Sequence, residues 1–153
     1  MAVCFDPDGA EFDIWEPRAM LGTDADSSLH GAPSWFQRMT TDAGRATSFY
    51  TSLLGWTADA TPMPGFEYTT FKNGNVPVGG LMPISPGRPT PRSSWATYFT
   101  VDDPDEAARL ATELGGQVHV PLEDIPGIGR FCGITSPQGV PFYAIRYAPR
   151  QEP

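Results

Sequence analysis

Two histidines, two cysteines and eighteen acidic residues are the main stock from which this 153-residue chain could build acid–base, nucleophilic or metal chemistry. His119 is the side chain whose ordinary pKa lies nearest neutrality in a structured stretch, but a single histidine at a strand end is ordinarily structural or exposed. His30 falls in a linker-like segment. Cys4 and Cys132 are too few for a disulfide framework and read as small buried hydrophobes in a reduced, cytoplasmic setting. Asp42 and Asp103 stand where helices should begin, so they read as caps rather than catalysts. Asp105, Glu106 and Glu113 read as a solvated helix face, and Glu123 and Asp124 as charges in a loop from Pro121 to Gly129. No paired general acid and base is visible. The net charge of −8 repels phosphate backbones and anionic membrane surfaces alike, so neither nucleic acid nor membrane is an expected partner. No run approaches the length of a membrane span, and Met1–Asp6 lacks the basic and apolar regions of a signal peptide.

The elements that must position any site emerge from an internal comparison. Ser34-Trp35 recurs as Ser94-Trp95, and each is followed by a strand-like run, Phe36 to Thr41 and Ala96 to Val101. A helical pattern follows each run. In the first, Asp42 is the cap, Ala46, Phe49, Tyr50 and Leu53 form the apolar stripe, and Gly55 is the stop. In the second, Asp103 is the cap, Pro104 takes the first helical position, Glu106 completes a capping box, and Gly115-Gly116 is the stop. Three extended segments follow each helix: Thr57 to Ala60, Phe66 to Lys72 and Val78 to Met82 after the first, with a hairpin turn at Asn73-Gly74. After the second come Gln117 to Pro121, Arg130 to Thr135 and Phe142 to Tyr147, with a turn at Ser136-Pro137-Gln138-Gly139. The 16 glycines and 17 prolines therefore serve as punctuation in a chain that is 40% hydrophobic, not as a mark of disorder. Pro83, Pro86, Pro89 and Pro91 make a semi-rigid connector between the halves.

A third copy of one fragment lies at the front. Phe5-Asp6-Pro7-Asp8-Gly9-Ala10-Glu11-Phe12 matches Thr135-Ser136-Pro137-Gln138-Gly139-Val140-Pro141-Phe142 at a constant offset, with Pro, Gly and Phe identical. Residues 1–17 thus read as the last hairpin of another half, residues 18–33 as a linker, and residues 34–148 as one module with halves 34–82 and 94–148. The expected class is α+β: two βαβββ repeats forming a cupped mixed sheet with helices on its outer face, plus an extra N-terminal β-hairpin.

This pattern resembles the vicinal oxygen chelate superfamily of glyoxalases, bleomycin-resistance proteins and extradiol dioxygenases. The resemblance is carried by Ser34-Trp35-Phe36 with Thr41-Asp42, Phe49-Tyr50 with Leu54-Gly55-Trp56, Pro126-Gly127-Ile128-Gly129-Arg130-Phe131, and Ser136-Pro137-Gln138-Gly139 with Phe142. The chain is also similar to the second module of actinobacterial tandem glyoxalase-like proteins, in which Asp6-Pro7-Asp8-Gly9 and Ile14-Trp15 would close the first module. In metal-dependent members four inward strand positions carry His, Gln or Glu. By resemblance they fall here on Trp35, Tyr68, Ala96 and Tyr143, and indole and methyl groups donate nothing to a divalent ion. The implied site has no metal and no cofactor. Asp13, at the hairpin's equivalent of the last position, would matter only if another chain supplied its partners.

What the same positions imply instead is a cup walled by aromatics. Strand alternation puts Trp35, Gln37 and Met39 on one face of the first strand and Ala96, Tyr98 and Thr100 on the matching face of the second half, with Tyr68 and Tyr143 completing the set. Trp95 and Phe99, of opposite parity to Tyr98, should pack under the helices. The expected ligand contacts are Trp35, Gln37, Met39, Tyr68, Tyr98 and Tyr143, and the expected function is metal-free binding of an aromatic or polycyclic small molecule, such as an antibiotic, in the bleomycin-resistance manner. The alternative is a glyoxalase-like lyase or isomerase, or a hydroxylase-like enzyme, on the same cup, with Tyr98 or Tyr143 as proton donor or a metal completed across a dimer. Val3, Phe5, Phe12, Ile14 and Trp15 carry too much apolar surface for a free arm. An orphan hairpin must dock, and a sheet edge within a homodimer is the expected place. Light scattering should therefore return twice the chain mass of 16.6 kDa; a monomer with a disordered arm would contradict that expectation.

Overall fold

The computed structural model describes residues 1–20, 22, 26–84 and 92–149. The connector prolines Pro86, Pro89 and Pro91 lie outside the described residues. The chain divides into two compact units, Met1–Thr23 with Trp35–Ala96, and Asp24–Ser34 with Thr97–Pro153. Each is organised around one βαβββ repeat, as the internal repeat predicts. In the first, β3 (Pro33–Thr40), α1 (Ala43–Leu54), β4 (Thr57–Met63), β5 (Phe66–Asn73) and β6 (Val76–Pro83) give the strand order β4-β5-β6-β3, with β3 parallel to β6 and the other pairs antiparallel. In the second, β7 (Ser94–Thr100), α2 (Pro104–Glu113), β8 (Gln117–Ile125), β9 (Gly129–Thr135) and β10 (Pro141–Tyr147) give β7-β10-β9-β8, with β10 parallel to β7. A hairpin of β1 (Ala2–Phe5) and β2 (Glu11–Ile14) forms a separate two-stranded sheet in the first unit. Among the described residues no helix is long and apolar enough to cross a membrane.

The helices begin and end where their caps dictate. The Asp42 side chain accepts the Arg45 N–H at 3.0 Å, and Gly55 closes α1 in the left-handed conformation at φ 68°. Asp103 accepts the N–H groups of Asp105 and Glu106, with Pro104 opening α2. The capping box is only half made, because Glu106 turns to Arg109 instead. Ala46 and Tyr50 carry the buried stripe of α1, whereas Leu53 is exposed. A second difference lies in β8, which runs to Ile125 and takes in Glu123 and Asp124 rather than ending at Pro121. At the edge of its half-sheet, β8 accommodates a proline, since an outward-facing position needs no N–H.

Tyr50 is the hub of the first unit's core, among Ala46, Phe71 and Leu81. Its ring meets Phe71 and Trp95 edge-on and Trp56 nearly parallel. Trp95 packs against this helix-side cluster, as its parity predicts, while Phe99 meets Phe142 edge-on in the second unit. There the core gathers Ala108, Cys132, Ile134 and Ala144.

The hairpin repeats the geometry of β9–β10. Its pairs Cys4↔Phe12, Val3↔Asp13 and Ala2↔Ile14 have the same register as Ile134↔Phe142, Gly133↔Tyr143 and Cys132↔Ala144. Its turn makes the same bonds: Asp6 N–H to Ala10 O and Gly9 N–H to Asp6 O, against Ser136 N–H to Val140 O and Gly139 N–H to Ser136 O. Gly9 and Gly139 share a left-handed φ of 81° and 86°. Side chains, not strand pairing, tie the hairpin to the rest of its unit. Phe12 meets Phe49 and Tyr50 edge-on at 5.9 and 5.6 Å.

The strongest tie is polar. Arg38, on the helix-side face of β3, is completely buried, and so is the Asp6 carboxylate that it meets at 2.6 Å. Arg38 Nε donates to the same oxygen at 2.8 Å, as does the Tyr50 hydroxyl at 3.0 Å, while the other oxygen accepts from the N–H groups of Asp8 and Ala10. Trp95 Nε1 donates to the Tyr50 oxygen, completing a chain of bonds. Asp8 accepts from Thr40 at 2.9 Å and lies 3.4 Å from Arg38. Burial alone would push the Asp6 carboxyl up, yet the Ala10 amide, Arg38 and Tyr50 outweigh it and hold the group below its ordinary 3.8. Burial also pushes Tyr50 up to about 12, keeping its hydroxyl a donor.

A carboxyl lowered by folding contributes stability that is fully present above its unfolded value and lost as pH falls through its folded value. Chemical denaturation should therefore show the protein losing stability as pH drops below about 4. Asp6→Asn should be less stable at neutral pH, by about 3 kcal/mol, and should show a shallower acid dependence than the parent.

Candidate functional site

Strand alternation assembles one polar and aromatic face in the first unit. Trp35, Gln37 and Met39 share a face of β3, away from Arg38 and Thr40. Tyr68 on β5 crosses toward them: Trp35 Nε1 donates to its hydroxyl oxygen at 2.9 Å, and that hydroxyl donates to Gln37 Oε1 at 3.3 Å. The ring can lie there because the strand between carries no side chain at the crossing. Gly80 on β6 pairs with Gln37 and Thr70, and a Cβ on it would stand 1.8 Å from Tyr68 Oη and 3.0 Å from Trp35 Nε1. Gln37 and Met39 are buried, whereas Trp35 and Tyr68 are half-buried and present the accessible part of this face.

The second unit carries its own cluster. Tyr98 and Tyr143 are register partners on parallel strands, and their rings stack at 4.4 Å and 10°. Phe131 flanks both at 6.2 Å. Tyr143 is buried and Tyr98 half-buried. His119, on β8, meets the Tyr143 ring edge-on at 5.7 Å, and its Nδ1 lies 3.0 Å from Thr135 Oγ1. Burial lowers the His119 pKa below its ordinary 6.5, so the imidazole is neutral at pH 7. Ala96 is buried, and Thr100 is occupied in donating to Ser27 O at 2.6 Å.

The six residues expected from the sequence thus fall into Trp35, Gln37, Met39 and Tyr68 on the first unit and Tyr98 and Tyr143 on the second. One residue of consequence was not expected: Arg38 gives a signal in retrospect, a cation at the parity that faces a helix, which needs a buried carboxylate. His119, singled out by its chemistry and read as structural or exposed, is half-buried, and its orientation depends on an irregularity in β8 pairing.

Donor chemistry decides whether the four positions implied by the resemblance suit a divalent metal. The Trp35 indole N–H is engaged with Tyr68, Ala96 offers a methyl group, and Tyr68 and Tyr143 offer phenol side chains rather than imidazole, carboxylate or thiolate. That set does not fit such an ion. Among the described residues no three His, Cys, Asp or Glu side chains gather as ligands. Cys132 is fully buried, and burial pushes its thiol up, away from nucleophilic use. Asp13 is exposed on the hairpin opposite Val3. A surface hollow bordered by Met1, Trp15, Glu16, Arg18 and Met20 touches none of the strand-face residues.

Two βαβββ halves, each a helix with four strands of mixed pairing, define the fold class. The family model described as the Glyoxalase/Bleomycin resistance protein/Dioxygenase superfamily matches residues 33–142, and the chain belongs to that family. It is 35% identical over 153 residues to a protein of Mycobacterium tuberculosis named putative glyoxylase CFP32, covering 99% of this chain and 57% of that one. It is 32% identical over 145 residues to the anthracycline biosynthesis protein DnrV of Streptomyces peucetius, covering 95% and 52%. The chain thus spans little more than half the length of these relatives. Its fold is shared with methylmalonyl-CoA epimerase from Mycobacterium tuberculosis (TM-score 0.54, 16% identity, 83% of this chain and 94% of that one). It is shared also with an extradiol ring-cleaving dioxygenase from B. fuscum (TM-score 0.57, 18% identity, 85% and 36%).

The dependence of the Trp35–Tyr68 bond on Gly80 is directly testable. Gly80→Ala should displace the Tyr68 ring, changing tryptophan fluorescence while leaving the far-ultraviolet circular dichroism of the strands in place. Unchanged fluorescence would show that the ring does not cross Gly80.

Proposed function

We propose that the protein binds a flat aromatic small molecule without a metal, stacking it on the half-buried aromatics of its strand faces. The observation that carries this reading is the replacement of metal-donor chemistry at the four positions implied by the resemblance by Trp35, Tyr68, Ala96 and Tyr143. Where relatives of this fold can place ligating groups, this chain places rings and a methyl group, the composition of a stacking surface. Trp35 and Tyr68 offer the accessible surface on the first unit and Tyr98 on the second. Gln37, bonded to Tyr68, is the nearby amide that orients a carbonyl or hydroxyl, and Met39 is the adaptable apolar neighbour. The name of the Streptomyces relative, an anthracycline biosynthesis protein, supports a polycyclic ligand. In this reading the ligand is sequestered rather than turned over, in the bleomycin-resistance manner. A cytoplasmic homodimer, with the hairpin contributing to the contact between copies, completes the proposal.

A polycyclic probe such as 2-hydroxyanthraquinone, titrated by quenching of tryptophan fluorescence, should bind saturably. Trp35→Ala should weaken binding at least tenfold, as expected for loss of a central stacking residue, worth about 1.4 kcal/mol or more. Unchanged affinity would reject the face. Stoichiometric zinc, iron, nickel or manganese in the purified protein would favour the lyase, isomerase or hydroxylase-like alternative instead.

A further inference from the structure

The hairpin leaves both of its long edges without a neighbouring strand, since among the described residues β1 and β2 pair only with each other. The two edges differ in charge. β2 carries Glu11 and Asp13, whereas β1 has no charge, proline or bulge, the devices that ordinarily keep an edge strand from pairing. Val3 and Phe5 are 54% and 63% exposed, on the side of the hairpin away from the Phe12 ring that packs on α1. Their backbone groups point outward as well. Asp6 N–H bonds across the hairpin to Ala10 O, and bonded positions alternate along an antiparallel pair. Cys4 therefore turns its N–H and C=O to β2, while Val3 and Phe5 turn theirs to the open edge.

The chain's own repeat shows what each edge accepts. The equivalents of Val3 and Phe5 on β9 are Gly133 and Thr135, which pair with the antiparallel β8 at Val120 and Gln117. The equivalent of β2 is β10, which takes a parallel neighbour, β7. A strand that meets its own copy across a two-fold axis is necessarily antiparallel to it. A second copy thus fits the β1 edge and not the β2 edge, where Glu11 and Asp13 would also face like charges.

We propose that two copies of the chain join edge to edge along β1, antiparallel about a two-fold axis at Val3, giving a four-stranded sheet in the order β2-β1-β1-β2. This rests on the homodimer proposed above and names its seam. Centring on Val3 pairs residues 1–5 in full: Val3 faces Val3, and Phe5 of each copy faces Met1 of the other. The outward N–H groups of Val3 and Phe5 then find the carbonyl oxygens of Val3 and Met1 in the second copy. Met1, Val3 and Phe5 of both copies form one apolar strip, an uncharged line of approach in a chain whose net charge is −8.

Light scattering and oxidative cross-linking of the full chain test the seam. The parent should scatter as two chains. Val3→Lys, which sets two ammonium groups opposite each other at the axis, should fall to the mass of one chain with its circular dichroism unchanged. Val3→Cys in a Cys4→Ala background should form an intermolecular disulfide on oxidation by copper–phenanthroline in air. Facing residues of a bonded antiparallel pair have Cα atoms about 5.5 Å apart, within the span of a disulfide. Cys132 is buried and takes no part. Phe5→Cys in the same background, whose two copies would lie about 14 Å apart along the seam, should stay uncross-linked. A Val3→Lys variant that stays dimeric, or a Val3→Cys variant that cross-links no better than Phe5→Cys, would overturn the β1 seam and leave the homodimer standing. A parent that scatters as one chain would overturn both, with the aromatic-ligand reading judged separately by its quenching titration.

Discussion

A buried guanidinium is the constraint on which the first unit depends. Arg38 sits without solvent contact in the middle of β3, and an unpaired cation there would cost several kcal/mol. Its carboxylate comes from Asp6, at the turn of a hairpin that precedes the repeat in sequence and pairs with no strand of it. The same carboxylate accepts from Tyr50, the hub of the aromatic core, and Tyr50 accepts from Trp95. Turn, strand, helix and core thus share one set of hydrogen bonds. The hairpin is a structural part of its unit, although its strands are not part of the sheet.

The anchoring also separates the two faces of β3. Arg38 and Thr40 are committed to the hairpin, and the intervening Trp35, Gln37 and Met39 are left for the opposite face. There the Trp35–Tyr68–Gln37 bonds build an aromatic surface, made possible by Gly80. The second unit reaches a comparable end by other means. It stacks Tyr98 on Tyr143 and recruits His119 through a bulge over Gly133. In both units a glycine on a strand lets a long polar ring cross the sheet, a use of glycine that turn statistics do not suggest.

Much of this was legible in the residues. The caps Asp42 and Asp103, the stop at Gly55 and the Asn73-Gly74 turn are local signals, and local signals survive translation into structure. The hairpin's kinship with β9–β10 was readable because the fragments share Pro, Gly and Phe at one offset, and the two registers coincide. What could not be read depends on pairing between distant segments. The Asp6–Arg38 bond joins residues 32 apart. The extension of β8 through Pro121 follows from its edge position, and the orientation of His119 from the slip against β9. The partial burial of the expected ligand residues is likewise a packing outcome: alternation assigns Gln37 and Met39 to the right face without telling how deep they lie.

The account's central claim is that Asp6 and Arg38 act as one unit, and a double-mutant cycle in chemical denaturation tests it most directly. Asp6→Leu and Arg38→Met should each destabilise by about 3–5 kcal/mol, because each strands a buried charge. The double variant should recover much of that loss, giving a coupling energy of about 2 kcal/mol or more. Losses that simply add, within about 0.5 kcal/mol, would contradict the claim and detach the hairpin from the core it is said to complete.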